Sequence, residues 1–202
     1  VKDQENPYRA VRARHSESTI TVYQAYSPAI AEAALAAGKF VPPFKRERMT
    51  WIKPSFLWMA YRCGWATKPD QERVLAVEIT REGFEWALEH ACLSHYEPDV
   101  HGSREAWASA KRASPVRVQW DPERDLHHRP LSHRSIQIGL GGEAVDRYVD
   151  DWTVSIEDIT PLMRKTAELV AVGNLEAAEA TLPTETPYPL LECGARRLGA
   201  TR

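Results

Sequence analysis

The stretch Thr19–Gly38, TITVYQAYSPAIAEAALAAG, carries both periodicities of a mixed fold. Its first half alternates, with Ile20, Val22, Gln24 and Tyr26 on one face and Thr21, Tyr23 and Ala25 on the other, as a strand requires. Ser27 then offers an N-cap, Pro28 suits a first helical position, and AIAEAALAA is built of strong helix formers that stop at Gly38. A strand that runs straight into a helix argues for an α+β chain.

The same arrangement returns downstream. Arg73–Ile79 (RVLAVEI) reads as a strand, Thr80 as a cap and REGFEWALEHA as a helix. Arg134–Leu140 (RSIQIGL) leads through a Gly141-Gly142 turn into EAVDRYVDDW. Setting Leu75 on Ile136 places Val77 on Ile138, Ile79 on Leu140, Glu82 on Glu143 and Leu88 on Val149, a match of pattern rather than identity. The segments between the units differ in length, so a solenoid is excluded. Between the second and third units the pattern predicts a helix over 103–112, a strand over Val116–Trp120 and a turn at Asp121-Pro122-Glu123-Arg124. Thr160-Pro161 opens a helix that ends at Gly173, and a short helix LEAAEATL follows. The expectation is one α+β domain over 19–182, with small mixed sheets, four or more strands and about six helices. Residues 1–18 are expected to be extended, and 183–202 to form an irregular tail.

Composition narrows the function classes. With 202 residues, 43% hydrophobic and 27% charged, the chain has an ordinary globular make-up long enough for one large core. A net charge of -2 excludes a general coat for polyanions, so any phosphate contact needs a local basic patch. The three cysteines, Cys63, Cys92 and Cys193, are far apart and odd in number, which favours free thiols in a reducing compartment. No apolar run reaches the length of a membrane span and no signal pattern opens the chain, so a cytoplasmic protein is expected. The chain opens on Val1 rather than Met, which leaves room for a missing leader.

The local patch exists. Phe44–Trp65, FKRERMTWIKPSFLWMAYRCGW, interleaves Lys45, Arg46, Arg48, Lys53 and Arg62 with Phe44, Trp51, Phe56, Trp58, Tyr61 and Trp65. Guanidinium groups hold anions and flat rings stack on bases, so this mixture suits a nucleotide or a single-stranded nucleic acid. It also suits a plain core helix over 53–65 with the arginines paired to acidic neighbours, and the sequence leaves both readings open. Mid-strand polar residues add Tyr23, Gln24, Arg117, Gln119 and Gln137, each of which is ordinary on a wet face. Glu78 interrupts an apolar strand and is either solvent-facing or a carboxylate with a task. Gly139-Leu140-Gly141-Gly142 matches no phosphate-loop spacing and reads as a tight turn. His90, Cys92 and His95, and the loop residues His127, His128 and His133, lack the spacing of a zinc site, so no metal is expected.

The runs FVPPFKRERMTWIKPSFLWMAYRCGWATK, VQWDPERD and RSIQIGLGGEAVDRYVDDW resemble a bacterial family catalogued as domain of unknown function 4291, over about 23–190. That resemblance implies no activity. A second likeness, of architecture only, is to ADP-ribosyltransferase-like domains, in which NAD lies in a cleft between two small sheets. It rests on VYQAY entering a helix and on the later strand VLAVEIT. It implies that Tyr23 and Gln24 lie on the cleft floor, where such enzymes place a His or Arg, and that Gln137 lies near the usual catalytic Glu. A Gln cannot stabilise an oxocarbenium charge, so Glu78, Asp121 or Glu123 would have to substitute. The expected function is a nucleotide-handling enzyme, an NAD-dependent ADP-ribosyltransferase-like transferase acting on a small molecule or nucleic acid. Glu78, Gln137 and Gln24 are its candidate catalytic residues, and Tyr23, Arg46, Arg48, Trp51, Lys53, Arg117 and Gln119 its candidate ligand contacts. The alternative is a non-catalytic nucleic-acid binder using residues 44–65. An exposed apolar patch over 154–172 would instead mark a partner-binding domain.

Overall fold

The structure is a computed structural model that describes residues 6–190 and 192–201. In chain order its elements are β1 (Arg12–Ala13), β2 (Thr19–Tyr26), α1 (Pro28–Ala37), β3 (Thr50–Ile52), α2 (Phe56–Cys63), β4 (Arg73–Thr80) and α3 (Arg81–Glu89). Then come β5 (Ala91–Leu93), α4 (Pro98–His101), α5 (Arg104–Ala113), β6 (Val116–Arg124), β7 (Pro130–Leu140) and α6 (Glu143–Arg147). A π-helical turn over Tyr148–Trp152 leads to β8 (Thr153–Asp158), α7 (Thr160–Ala171), α8 (Leu175–Thr181), β9 (Thr186–Pro187) and α9 (Glu192–Leu198). The chain is α+β. Its strands form a three-stranded sheet β2-β4-β8, a four-stranded sheet β3-β7-β6-β5 and the small pair β1-β9.

Two cores follow from the alternation along β2 and β4. Ile20 and Val22 of β2, with Leu75, Val77 and Ile79 of β4, face the main core, which also takes Ile52, Val118, Trp120, Ile136 and Ile138 from the larger sheet. The opposite face of the same two strands presents Tyr23 and Val74 to a second core built by Phe56, Met59 and Cys63 of α2 and Ile159 and Met163 of α7. At about 25 cal/mol per Å² of apolar surface, one strand buried on both faces ties the two cores together energetically. The two larger sheets meet at an isolated bridge, where the Tyr23 N–H donates to the Lys53 carbonyl at 2.7 Å. Beyond that bridge β2 and β3 belong to different sheets and are joined through side chains.

Several boundaries differ from the sequence reading, each for a physical reason. Trp51 lies on β3, paired with Gly139, and α2 begins only after Ser55, whose hydroxyl accepts from the Trp58 N–H at 3.0 Å. β6 continues through the expected turn at Asp121–Arg124, because Pro122 sits beside a register shift in which a missing N–H costs no ladder bond. Val154 belongs to strand β8, not to the helix, and the expected run 154–172 divides at Ile159. β5, parallel to β6, was not foreseen, and more helical segments are present than the six expected.

The ends are part of the fold. Residues 183–202 were expected to be irregular, yet Arg12 and Ala13 pair with Pro187 and Thr186, and Glu192–Leu198 is helical. Val11 and Ala13 are buried, as is Tyr188, whose hydroxyl donates to Glu85 at 2.6 Å. Residues 1–5 of the expected N-terminal extension lie outside the described residues, as does the Cys193 side chain. Cys63 and Cys92 are free and buried. No helix among the described residues is long and apolar enough to cross a membrane.

Candidate functional site

A hollow of about 380 Å³ beside β2 and β3 is lined by Gln24, Tyr26, Lys45, Arg48, Thr50, Trp51, Lys53 and Arg62, with Asp70 and Gln71 also at its wall. β2 supplies the floor through Gln24 and Tyr26, two residues apart on one strand face. β3 supplies Thr50, Trp51 and the Lys53 that follows it. The loop before β3 brings Lys45 and Arg48, and the last turn of α2 brings Arg62.

The floor is locked by hydrogen bonds. The Gln24 amide donates to Thr50 Oγ1 at 2.7 Å and to the Trp51 carbonyl at 3.2 Å, while the buried Tyr148 hydroxyl donates to Gln24 Oε1 at 2.7 Å. The Tyr26 hydroxyl and Thr50 Oγ1 share a bond of 3.0 Å. Burial pushes the Tyr26 and Tyr148 phenols well above their ordinary pKa, so both stay neutral. Gln24, with every polar atom engaged by protein, therefore shapes the floor.

The walls are cationic. Among the described residues no carboxylate pairs with Lys45, Arg48, Lys53 or Arg62; Arg62 donates instead to the neutral Gln71 at 3.1 Å. Lys53 is 6% exposed, and its Nζ donates to the Trp51 carbonyl at 3.0 Å and stands 5.7 Å from the centre of the Trp58 ring. Burial, reinforced by the nearby Arg62 charge, pulls its pKa down to about 7. Trp51 is half-buried and its ring lies over Gly139, where an added Cβ would come within 2.9 Å of Trp51 Cζ2. Gly139 thus leaves the room in which the indole lies flat on the sheet, a use of this glycine that its turn-like sequence context hides.

Four of the candidate residues, Gln24, Arg48, Trp51 and Lys53, converge on this hollow. The others do not. Arg46 points away and is held by Asp150 at 2.5 Å and Asp146 at 3.2 Å. Tyr23 is buried edge-on against Phe56 in the second core. Glu78, on the three-stranded sheet, accepts from Thr19 Oγ1 at 2.6 Å and Ser155 Oγ at 3.3 Å, outside the hollow. Arg117 turns back on the Ser114 carbonyl at 2.6 Å. Gln119 donates to Asp121 at 2.9 Å, and Gln137 donates to the other oxygen of the same carboxylate. Gln119 and Asp121 line a separate hollow of about 290 Å³ with Arg9, His95, Glu97 and Arg134. Among the described residues, no three His, Cys, Asp or Glu side chains converge closely enough to hold a metal ion.

The sequence reading passed over Tyr26, Thr50, Asp70 and Tyr148. Tyr26 was detectable, since it shares the strand face of Gln24; nothing local joins Tyr148 to a strand so far away in the chain. Also unforeseen is an acidic pair beneath the start of α2. Glu185 Oε1 accepts from the Phe56 N–H at 2.7 Å, and its pKa is pushed up to about 8 by burial and by Glu123. Glu123 is itself raised by burial, against the Arg124 N–H and the Ser55 and Ser135 hydroxyls, which favour its charged form.

Residues 10–188 match the family model described as "Domain of unknown function (DUF4291)", which spans both sheets and the hollow between them. The chain belongs to the DUF4291 family. No curated protein matches it. For this DUF4291 chain the function is therefore argued from the hollow itself.

Proposed function

We propose that the hollow between β2 and β3 binds a nucleotide, with Lys45, Arg48 and Arg62 on its phosphates and Trp51 on its ring. The observation that carries this reading is the convergence of three cations without carboxylate partners and one flat indole on a hollow of about 380 Å³. Anions bind where charge is left uncompensated, and guanidinium groups match phosphate oxygens in pairs. The volume is in the range of small-ligand sites.

Within that reading the chemistry is transfer from NAD, of the ADP-ribosyltransferase-like kind, to a small molecule or nucleic acid. Its support is the position of the hollow where two small sheets meet, with Gln24 on the floor. Asp70 is the carboxylate at the wall and would face the positive charge that develops on the ribose as nicotinamide leaves. Single-stranded nucleic acid is the second reading. It is favoured by the surface past Arg62, where Trp65 stacks on His128 at 4.9 Å and Arg124 lies 3.8 Å over Tyr61.

Titration calorimetry with ADP, NAD and a short RNA tests both. Combined Arg48→Ala and Arg62→Ala should weaken ADP and NAD binding roughly tenfold or more, as expected for the loss of charge-assisted phosphate bonds. Asp70→Asn should abolish nicotinamide release without loss of NAD affinity. RNA binding that falls steeply with salt, with ADP and NAD both silent, would favour the second reading; silence from all three ligands would end the first and the second together.

A further inference from the structure

Lys53 differs from the other cations of the hollow. It sits at the inner end, almost wholly buried, with its amine turned to a backbone carbonyl of its own strand and to an indole face, and with no carboxylate of the described residues beside it. Its charged neighbour is Arg62, also on the hollow; the Asp121 carboxylate acts on it only from the next hollow, where two glutamine amides already hold it. A permanently charged phosphate clamp does not need such a place. A nucleophilic amine does, because burial beside a like charge keeps its lone pair free.

We propose that Lys53 is a nucleophile of this site, forming an imine with the carbonyl carbon of a phosphorylated sugar whose phosphate is held by Arg48 and Lys45. The proposal rests on the phosphate-binding reading of the hollow, and narrows its ligand to a phosphate ester carrying a free or latent aldehyde, such as the open-chain form of a ribose phosphate or of ADP-ribose. The step balances without any co-reactant. The Nζ lone pair forms a bond to the carbonyl carbon, the carbonyl electron pair moves to oxygen, and that oxygen takes up protons and leaves as water while nitrogen gives up its own. The sum is amine plus aldehyde giving imine plus water.

Selectivity follows from protonation. With a pKa near 7 against an ordinary 10.5, the free-amine fraction of Lys53 at pH 7.4 exceeds that of a surface lysine by about a thousandfold. The lower basicity and narrower access of a buried amine reduce the gain in rate, but leave Lys53 well ahead of an ordinary exposed lysine.

The test uses the full chain with ribose 5-phosphate and sodium cyanoborohydride at pH 7.4, followed by intact mass and peptide mapping. The expected result is one adduct on Lys53, formed at least about tenfold faster than on any other lysine, suppressed by excess ADP, absent in Lys53→Met and not reproduced by unphosphorylated ribose. ADP suppression is read on the wild-type protein, so it decides the matter independently of Lys53→Met. Labelling spread evenly over surface lysines, or unchanged by ADP, overturns the proposal. Calorimetric binding of ribose 5-phosphate with no adduct also overturns it, and leaves the phosphate site standing. A Lys53 adduct that forms equally well from ribose and its phosphate sinks the phosphate site and the narrowed ligand together.

Discussion

Replacing Glu185 by Gln should make the protein more stable at high pH and no more stable at low pH. Glu185 meets the Phe56 N–H through one oxygen and faces Glu123, and its carboxyl holds its proton up to about pH 8 rather than the ordinary 4.5. Between those limits the native state binds a proton that the unfolded chain has released, so stability falls as pH rises from 4.5 to 8. Each step of one in pKa is about 1.4 kcal/mol, which sets a ceiling of roughly 5 kcal/mol. Glu185 is only half-buried, and screening by solvent brings the expected effect down to about 2 kcal/mol. Gln keeps the oxygen that accepts from Phe56 and never ionises, so the loss disappears. At the rate expected for a chain of this length, the variant should melt about 4–8 °C above wild type at pH 9 and within ~1 °C of it at pH 4.5. Thermal melts across that range, followed by circular dichroism, make the measurement. A difference that is flat with pH, or a variant less stable at pH 9, would show that the two acids do not share this charge.

Lys53→Met carries the opposite sign. The lysine's pKa is lowered from 10.5 to about 7, so its folding cost is full below pH 7 and fades as pH climbs to 10.5; the variant's gain, about 1–3 kcal/mol, should shrink over the same interval in denaturant titrations. Gly83→Ala drives a Cβ to 2.3 Å from Cγ of the buried Trp152, and should cost about 1–3 kcal/mol or more by urea unfolding. Arg46→Ala removes an exposed pairing with Asp146 and Asp150 that lies off the hollow. It should leave ADP affinity and the melting temperature unchanged, while Arg48→Ala lowers the affinity; equal loss from both would return Arg46 to the site.

The α+β class and the three strand-to-helix units were legible because each is written locally. The alternation of Ile20, Val22, Gln24 and Tyr26 needs only a period of two, and Thr80 caps α3 by accepting from Gly83 three residues on. The basic and aromatic character of 44–65 was equally plain. Its internal structure was not. Thr50–Ile52 is too short to show alternation, so the strand goes unread and the helix is expected to begin at Lys53 rather than at Phe56. Arg46 and Arg48 look alike in sequence, and what separates them is a pair of aspartates about a hundred residues away. Gln24 lines the hollow, but Tyr148, which fixes it, comes from a π-turn without local signature. Residues 183–190 look irregular because proline and threonine dominate them, and their order comes from partners distant in the chain, among them Val11, Arg12, Ala13, Phe56, Arg81 and Glu85.

The pairing of β1 with β9 also sets a schedule for assembly. The Glu185 carbonyl that receives the Arg12 guanidinium is made 173 residues after it. A nascent chain can nucleate the β2-to-α1 unit at once, yet Arg12 and Ala13 lack their β9 ladder partners until Thr186 and Pro187 have been added. Translation that stalls anywhere short of Tyr188 would therefore leave a body with an open seam, which is where a quality-control protease would find its first purchase.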